Sequence, residues 1–287
     1  MLRSQCAYTR LFETFVTKPP PPFLKGLSNS PRPFIFEPMD YNKEYKQDDI
    51  LWFDLVLVGN IIQYLPYIIF SIFQLGKTGL GRDRQPFELK QAFCLQPKIE
   101  KETNKESNNT NGSNKNDWKL IYDGERQRIL FQPDVLFLTN SQTNKENFHS
   151  ATIKFQTQTR IAVNNKLSMD FTFRELVFKM LRRILELAHF YMPGEECDWE
   201  FRDLLNAAND VTITNKNLHW QDQGRYSSRQ KRKLKIGGFV GDIILEGDIS
   251  PFSNLFNYAE ILHVGKGATF GLGRVDVVIK NNLPNKN

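Results

Sequence analysis

The alternation of apolar and polar positions predicts an α+β chain in two halves. About 30 N-terminal residues, centred on Pro19-Pro20-Pro21-Pro22, read as an extended connector. Pro33–Phe36 and Ile50–Val58 read as strands. Residues 55–73, LVLVGNIIQYLPYIIFSIF, carry no formal charge over 19 positions, the length of a membrane span. Asp54 stands at one edge of this run, and Gly59-Asn60, Gln63 and Pro66 interrupt it. It therefore predicts a buried strand to Val58, a turn with Asn60 as helix cap, and a buried helix over 61–75 rather than a membrane anchor.

Strand-like Phe87–Leu95 follows. Residues 98–117 then hold one apolar residue, Ile99, and six asparagines in twenty positions, the composition of a solvated, disordered insertion. Trp118–Tyr122 and 128–138 resume β-type sequence, and the polar run 139–150 suggests a boundary between domains 1–145 and 146–287. In the second half Ala151–Val163 alternates as a strand. Thr172-Phe173-Arg174-Glu175 is a capping box opening a helix to Tyr191. Its apolar stripe is Phe173, Val177, Met180, Ile184, Leu187 and Tyr191, and its polar face Lys179, Arg182, Arg183, Glu186 and His189. Strands near 210–220, 236–247 and 273–280 and a short helix near 251–260 complete the half. Two tandem ferredoxin-like (RRM-like) domains is the economical architecture.

Charge sharpens this picture. Lys+Arg 38 against Asp+Glu 32 gives +6, and the excess is local. Residues 225–235 carry Arg225, Arg229, Lys231, Arg232, Lys233 and Lys235 without an acid; removing these six leaves 38 − 6 = 32 cations against 32 anions. A neutral protein with one concentrated cationic segment points to a polyanionic partner. Trp220 and Tyr226 beside it could stack on bases, as single-stranded RNA binding requires. Cys6, Cys94 and Cys197 form no CxxC, and the four histidines form no HxH or HExxH. No disulfide framework, metal site or cofactor is expected, and the reducing cytoplasm fits best.

Two glycine motifs need sorting. Gly76-Lys77-Thr78 lacks the earlier glycine of a phosphate-binding P-loop, because position 71 is Ser71, and it follows a helix rather than a strand. It reads as a glycine-terminated helix. Gly265-Lys266-Gly267-Ala268-Thr269-Phe270-Gly271-Leu272-Gly273-Arg274 is more specific. Its glycines allow close backbone approach, and Lys266 and Arg274 add charge, the makings of a phosphate cradle.

RNA can be cut without metal when its own 2′-OH attacks the adjacent phosphate, provided the protein moves two protons and stabilises the phosphoryl charge. Histidine suits the proton work and Lys or Arg the electrostatics. His263, two residues before the glycine-rich loop, has the best neighbours. His189, one turn from Glu186, ranks second and His219 third; His149 falls in the polar connector and is expected to be exposed. Tyr226 could assist proton transfer.

At this point the residues resemble a known family. Trp220 with Arg225-Tyr226-Ser227-Ser228-Arg229-Gln230, then Gly237-Gly238 with Gly241, then His263-Val264-Gly265-Lys266-Gly267 with Phe270-Gly271-Leu272-Gly273, is similar to the CRISPR precursor-RNA processing endoribonucleases of the repeat-associated mysterious protein (RAMP) superfamily. Tyr64-Leu65-Pro66-Tyr67 and Gly79-Leu80-Gly81-Arg82 fit the same resemblance. It implies tandem ferredoxin-like domains and metal-independent cleavage of CRISPR repeat RNA into guide RNAs, with the glycine-rich loop helping to hold RNA. It further implies that RNA contacts come from the six cations, Gly265, Gly267, Gly271, Gly273 and Arg274. Many members carry a catalytic histidine on the first N-terminal helix, whereas residues 60–75 here contain none. The expectation is therefore an endoribonuclease using His263, Lys266 and Tyr226. The alternative is a non-cleaving RNA-binding subunit of a CRISPR effector complex, and a homodimer is left open.

Overall fold

The computed structural model describes residues 6–13, 21, 24, 26, 27, 29–39, 44–81, 83–95, 118–136, 148–194, 200–227 and 232–280. The polar insertion 98–117, most of the 139–150 connector, Arg82 and Cys197 lie outside them. The chain forms two compact units, one of Met1–Arg10 with Gly59–Thr139, the other of Leu11–Val58 with Asn140–Asn287. Both are α+β with antiparallel sheets.

The first unit holds α2 (Leu65–Thr78) and a three-stranded sheet of β3 (Gln91–Leu95), β4 (Trp118–Asp123) and β5 (Arg128–Ile129). A 3-10 turn over Gly59–Tyr64 precedes α2, so the helix starts later than the pattern predicts and Tyr64, not Asn60, takes the cap position. Pro66 sits in the first turn, where its missing N–H costs nothing. Gly76-Lys77-Thr78 is the last turn of this helix, and Gly79 closes it by donating its N–H to Leu75 O at 2.8 Å. A helix C-terminus carries negative dipole charge, the wrong sign for phosphate. No helix among the described residues is long and apolar enough to cross a membrane.

In the second unit, β1 (Phe34–Pro38) and β2 (Phe53–Leu57) form an antiparallel hairpin. The N-terminal stretch is not wholly extended: Ala7–Phe12 is a short helix, α1, whose Phe12 ring meets Phe34 edge-on at 5.5 Å. The larger sheet contains β6 (Ser150–Thr159), β9 (Thr212–Ser227), β10 (Arg232–Glu246) and β11 (Val275–Lys280) in the order β11-β6-β10-β9. With α3 (Phe173–Tyr191) after β6 and α5 (Ser253–Leu262) after β10, this is the β-α-β-β-α-β ferredoxin-like arrangement. Between them lie a small hairpin, β7 (Ala162–Val163) and β8 (Lys166–Leu167), turning on Asn164-Asn165 at φ 48° and 65°, and a short α4 (Phe201–Ala207).

The sequence explains the layer packing. On β6 the odd positions from Ala151 to Thr159 are buried, while Lys154 and Gln156 are exposed, the period-2 pattern of a one-sided sheet. Thr172 caps α3 as predicted: its hydroxyl accepts from Glu175 N–H at 3.2 Å, and the Glu175 carboxylate accepts from Thr172 N–H at 2.8 Å. The core is phenylalanine-rich. Phe155 meets Phe239 at 5.0 Å, Phe171 stacks on Phe239 at 5.4 Å, and Phe173 meets Phe252 at 4.9 Å. Burying each such ring is worth roughly 1.5–3 kcal/mol. At the sheet edge the Glu260 carboxylate accepts from Val277 N–H at 2.6 Å, covering a group that β11 would otherwise expose.

One departure from the predicted strand limits places the charge. β9 and β10 pair from Thr212↔Glu246 to Ser227↔Arg232, but β6 joins β10 only from Phe239 onward. Residues 221–227 and 232–238 thus pair only with each other, a two-stranded ribbon running past the sheet.

Candidate nucleic-acid interface

The ribbon carries four cations of the basic segment. Arg225, Arg232, Lys233 and Lys235 occupy its register positions, Lys233 opposite Tyr226 and Lys235 opposite Gly224. Arg229 and Lys231 lie outside the described residues. At the ribbon's base Trp220 is 42% exposed and donates its indole N–H to Asp222 Oδ1 at 2.9 Å. A Cβ on Gly237 would stand 2.7 Å from Trp220 Cζ2, so only glycine lets the indole lie against the opposite strand. His219, one residue earlier and opposite Val240, is exposed.

The glycine-rich loop runs from His263 to Gly273 between α5 and β11. It is folded against its own protein. Val264 N–H donates to Gly273 O at 2.8 Å, Lys266 N–H to Arg160 O at 3.0 Å, and Phe270 and Gly271 N–H to Gly267 O and Ala268 O. Those four donors are therefore occupied rather than presented to a phosphate. Gly271 and Gly273 are buried. A Cβ on Gly273 would lie 1.9 Å from Val264 O, and one on Gly271 2.7 Å from Phe36 O of β1. The close approach these two glycines permit is to the chain's own backbone. The outward groups are Lys266, which is exposed, Phe270 at 50%, and the partly exposed Arg274.

Ribbon and loop meet at the end of β6. Gly238 packs so tightly on Gln158 and Thr159 that a Cβ would sit 2.8 Å from Thr159 O. Gly265 is bridged to Arg160, the next residue, and its Cβ would sit 2.6 Å from Arg160 O. Glycine at both points brings cationic ribbon and loop onto consecutive residues of one strand end.

The candidate histidines separate sharply. His263 is 1% exposed, with Nδ1 3.1 Å from Leu272 O and Nε2 2.8 Å from Glu37 Oε1. Its side chain is 0% exposed, so no ring atom is open to a substrate, and direct proton transfer from this ring to RNA meets a closed wall. His189 is half-buried near the end of α3, its ring 4.8 Å from that of Phe190. His149 is exposed, as expected, and its carbonyl accepts from Gly247 N–H. His219 remains the exposed histidine next to the ribbon. The side chains of Arg225 and Tyr226 lie outside the described part of the structure.

Two contributors were not assembled by sequence reasoning. Glu37 lies 226 positions from the histidine it binds, and no local signal links them. The helical period puts Lys179 on the polar face of α3, but nothing in the sequence puts it beside the loop. Burial, then the charges of Arg182 and Lys266, push its ammonium down from the ordinary value, which places a lysine from α3 in the field of the loop lysine. On the same helix, burial pulls the Arg183 guanidinium down to about 10 against the pull of Glu186, and its Nε donates to Leu262 O at the loop's entrance. Among the described residues no three His, Cys, Asp or Glu side chains gather as a metal-holding group.

Comparison with known proteins completes the description. Residues 1–116 match a family model described as an N-terminal domain. No curated protein matches the chain at a significant level. Among solved structures, Cas6 of Thermus thermophilus is 18% identical with a TM-score of 0.36, over 46% of this chain and 54% of that one. A Cas6 product complex is 13% identical with a TM-score of 0.43, over 86% and 83%. A Cas6-RT-Cas1–Cas2 complex is 16% identical with a TM-score of 0.33, over 50% and 15%. The chain thus spans about half the length of the Thermus thermophilus protein. Residues 153–275, which run from β6 to the first residue of β11, match the model of the CRISPR-associated endoribonuclease Cas6.

Proposed function

We propose that the protein binds CRISPR repeat RNA and cleaves the precursor transcript without a metal, by attack of the 2′-OH on the adjacent phosphate. The reading rests on one juxtaposition, the basic ribbon and the loop bearing Lys266 meeting on residues 158–160. Phosphates run along the segment 225–235, whose Arg225, Arg229, Lys231, Arg232, Lys233 and Lys235 neutralise them, and bases stack on Trp220 and Phe270. Lys266 and Arg274 stabilise the charge that grows on the phosphoryl oxygens. With His263 closed off, proton transfer falls to His219, with Tyr226 assisting.

The burial of His263 also favours a second reading, an RNA-binding subunit of a CRISPR effector complex that does not cut. One assay separates the two. Purified protein in EDTA is given repeat RNA and the same RNA with 2′-deoxy at the cut site. Cleavage of the first alone supports the enzyme, and binding without cleavage of either supports the subunit. If His219→Ala cleaves at the wild-type rate, the assignment of that residue is wrong.

A further inference from the structure

The bonds around His263 constrain its proton. Nδ1 faces a carbonyl, which only accepts, so Nδ1 must carry hydrogen. Nε2 faces a carboxylate oxygen of Glu37. That contact bonds if Nε2 carries hydrogen and Glu37 is ionised, or if Glu37 carries it and Nε2 accepts. Both arrangements hold one proton between the two side chains. Removing it turns a lone pair toward a carboxylate, and the 2.8 Å contact becomes repulsive. The guanidinium of Arg274 lies 3.9 Å from the other Glu37 oxygen.

The backbone shows what the pair restrains. His263 sits at φ 59°, ψ 165°, a region costly for a residue with a Cβ, of order 1–3 kcal/mol, and kept only where the surroundings enforce it. Arg183 holds the carbonyl before it, Gly273 O holds the N–H after it, and the ring ties the loop's far side, Leu272, to β1. Lys266 and Phe270 project from the span so closed.

We infer that Glu37 and His263 are positioning residues: their shared proton locks the glycine-rich loop to the β1–β2 hairpin in the shape that binds RNA. This rests on the RNA-binding reading above. Among the described residues, charged groups near the pair are Asp54 on β2, opposite Glu37, Arg274 before β11, and Arg183 on α3, which holds the carbonyl before His263. Burial, then Glu37, raise the Asp54 carboxyl above its ordinary value. Lys179, next to Lys266, loses charge on the alkaline side and must be distinguished from the pair.

Glu37→Gln makes the distinction. A glutamine amide donates to a neutral imidazole without needing the extra proton, so the lock holds at every pH while Lys179 is untouched. The experiment measures Kd for labelled repeat RNA, 2′-deoxy at the cut site so that it is not consumed, from pH 6.5 to 9.5. Wild type should weaken as the pair deprotonates, by at most about tenfold per pH unit for a single linked proton. Glu37→Gln should match wild type at low pH and keep only the alkaline loss that Lys179 contributes, a shallower profile than wild type, and Glu37→Ala should bind about tenfold or more weaker throughout. Melting curves at each pH screen for folding; if Glu37→Ala does not fold, the Glu37→Gln profile decides alone. Identical pH profiles for wild type and Glu37→Gln overturn the lock while leaving RNA binding intact. Absence of RNA binding by wild type at every pH overturns the RNA reading and the lock with it.

Discussion

Gly273→Ala tests whether the loop is as tightly self-packed as its contacts indicate. The substitution places a methyl at φ 77°, 1.9 Å from Val264 O. Left-handed backbone costs an L residue about 1–2 kcal/mol. Relieving the overlap means moving Val264 or Gly273 and straining the hydrogen bond that joins them, an overpacking cost of about 1–3 kcal/mol. The sum is about 2–5 kcal/mol, a fall in melting temperature of roughly 5–15 °C for a unit of this size. Gly26 supplies the control. It belongs to the same unit, has φ 81°, and a Cβ there would meet nothing within 4 Å. Gly26→Ala therefore carries the backbone cost without the collision. Calorimetric melting of both variants isolates the contact term as their difference. Equal losses would mean that the loop yields freely to the methyl, and the picture of a rigid platform under Lys266 and Phe270 would fall.

Three further outcomes are expected. Thr172→Ala removes the capping box of α3 and should cost about 0.5–2 kcal/mol by urea unfolding, whereas an unchanged midpoint would make the cap incidental. Asp54 has its carboxyl raised above the ordinary 3.8, first by burial and then by Glu37. A raised acid favours the folded state fully below its unfolded value and loses that contribution as pH rises through the folded value. Asp54→Asn should therefore melt above wild type at neutral pH and lose the advantage toward pH 3, and a pH-independent difference would refute the repulsion. Replacing the six cations of 225–235 with Gln should weaken RNA binding and flatten its salt dependence by about 0.7 in log-log slope per lost phosphate contact to single-stranded RNA; an unchanged slope would move the RNA off this segment.

The parts of the fold that bury apolar residues with a regular period were legible. The α3 stripe, its Thr172–Glu175 cap and the odd positions of β6 all follow from local pattern. The ribbon was not, because Gln221–Ser227 and Arg232–Lys235 carry no regular apolar period in sequence: their pairing is propagated from the strands behind them, and hydrophobic periodicity cannot report it. The segment's charge could be counted, but only the register shows that it is carried on a ribbon whose base shares β6 with the loop. Likewise Ala7–Phe12 is too short and lies too near a proline tract for its helix to stand out.

The candidate site shows where local reasoning stops for a physical reason. Glycines and Lys266 beside it in sequence single out His263, and sequence neighbours do predict loop geometry. They do not predict desolvation, which is set by whatever packs on top. Here that is β1, delivering Glu37 onto Nε2 and Phe36 onto Gly271. A histidine with both nitrogens bonded and no exposed atom has exchanged its reach toward substrate for control of the loop that carries Lys266. The same feature that marks a catalytic histidine in sequence, proximity to a cationic glycine loop, thus also marks the best place from which to brace that loop. Only the partner of Nε2 distinguishes them: bound RNA in the first case, Glu37 in this one.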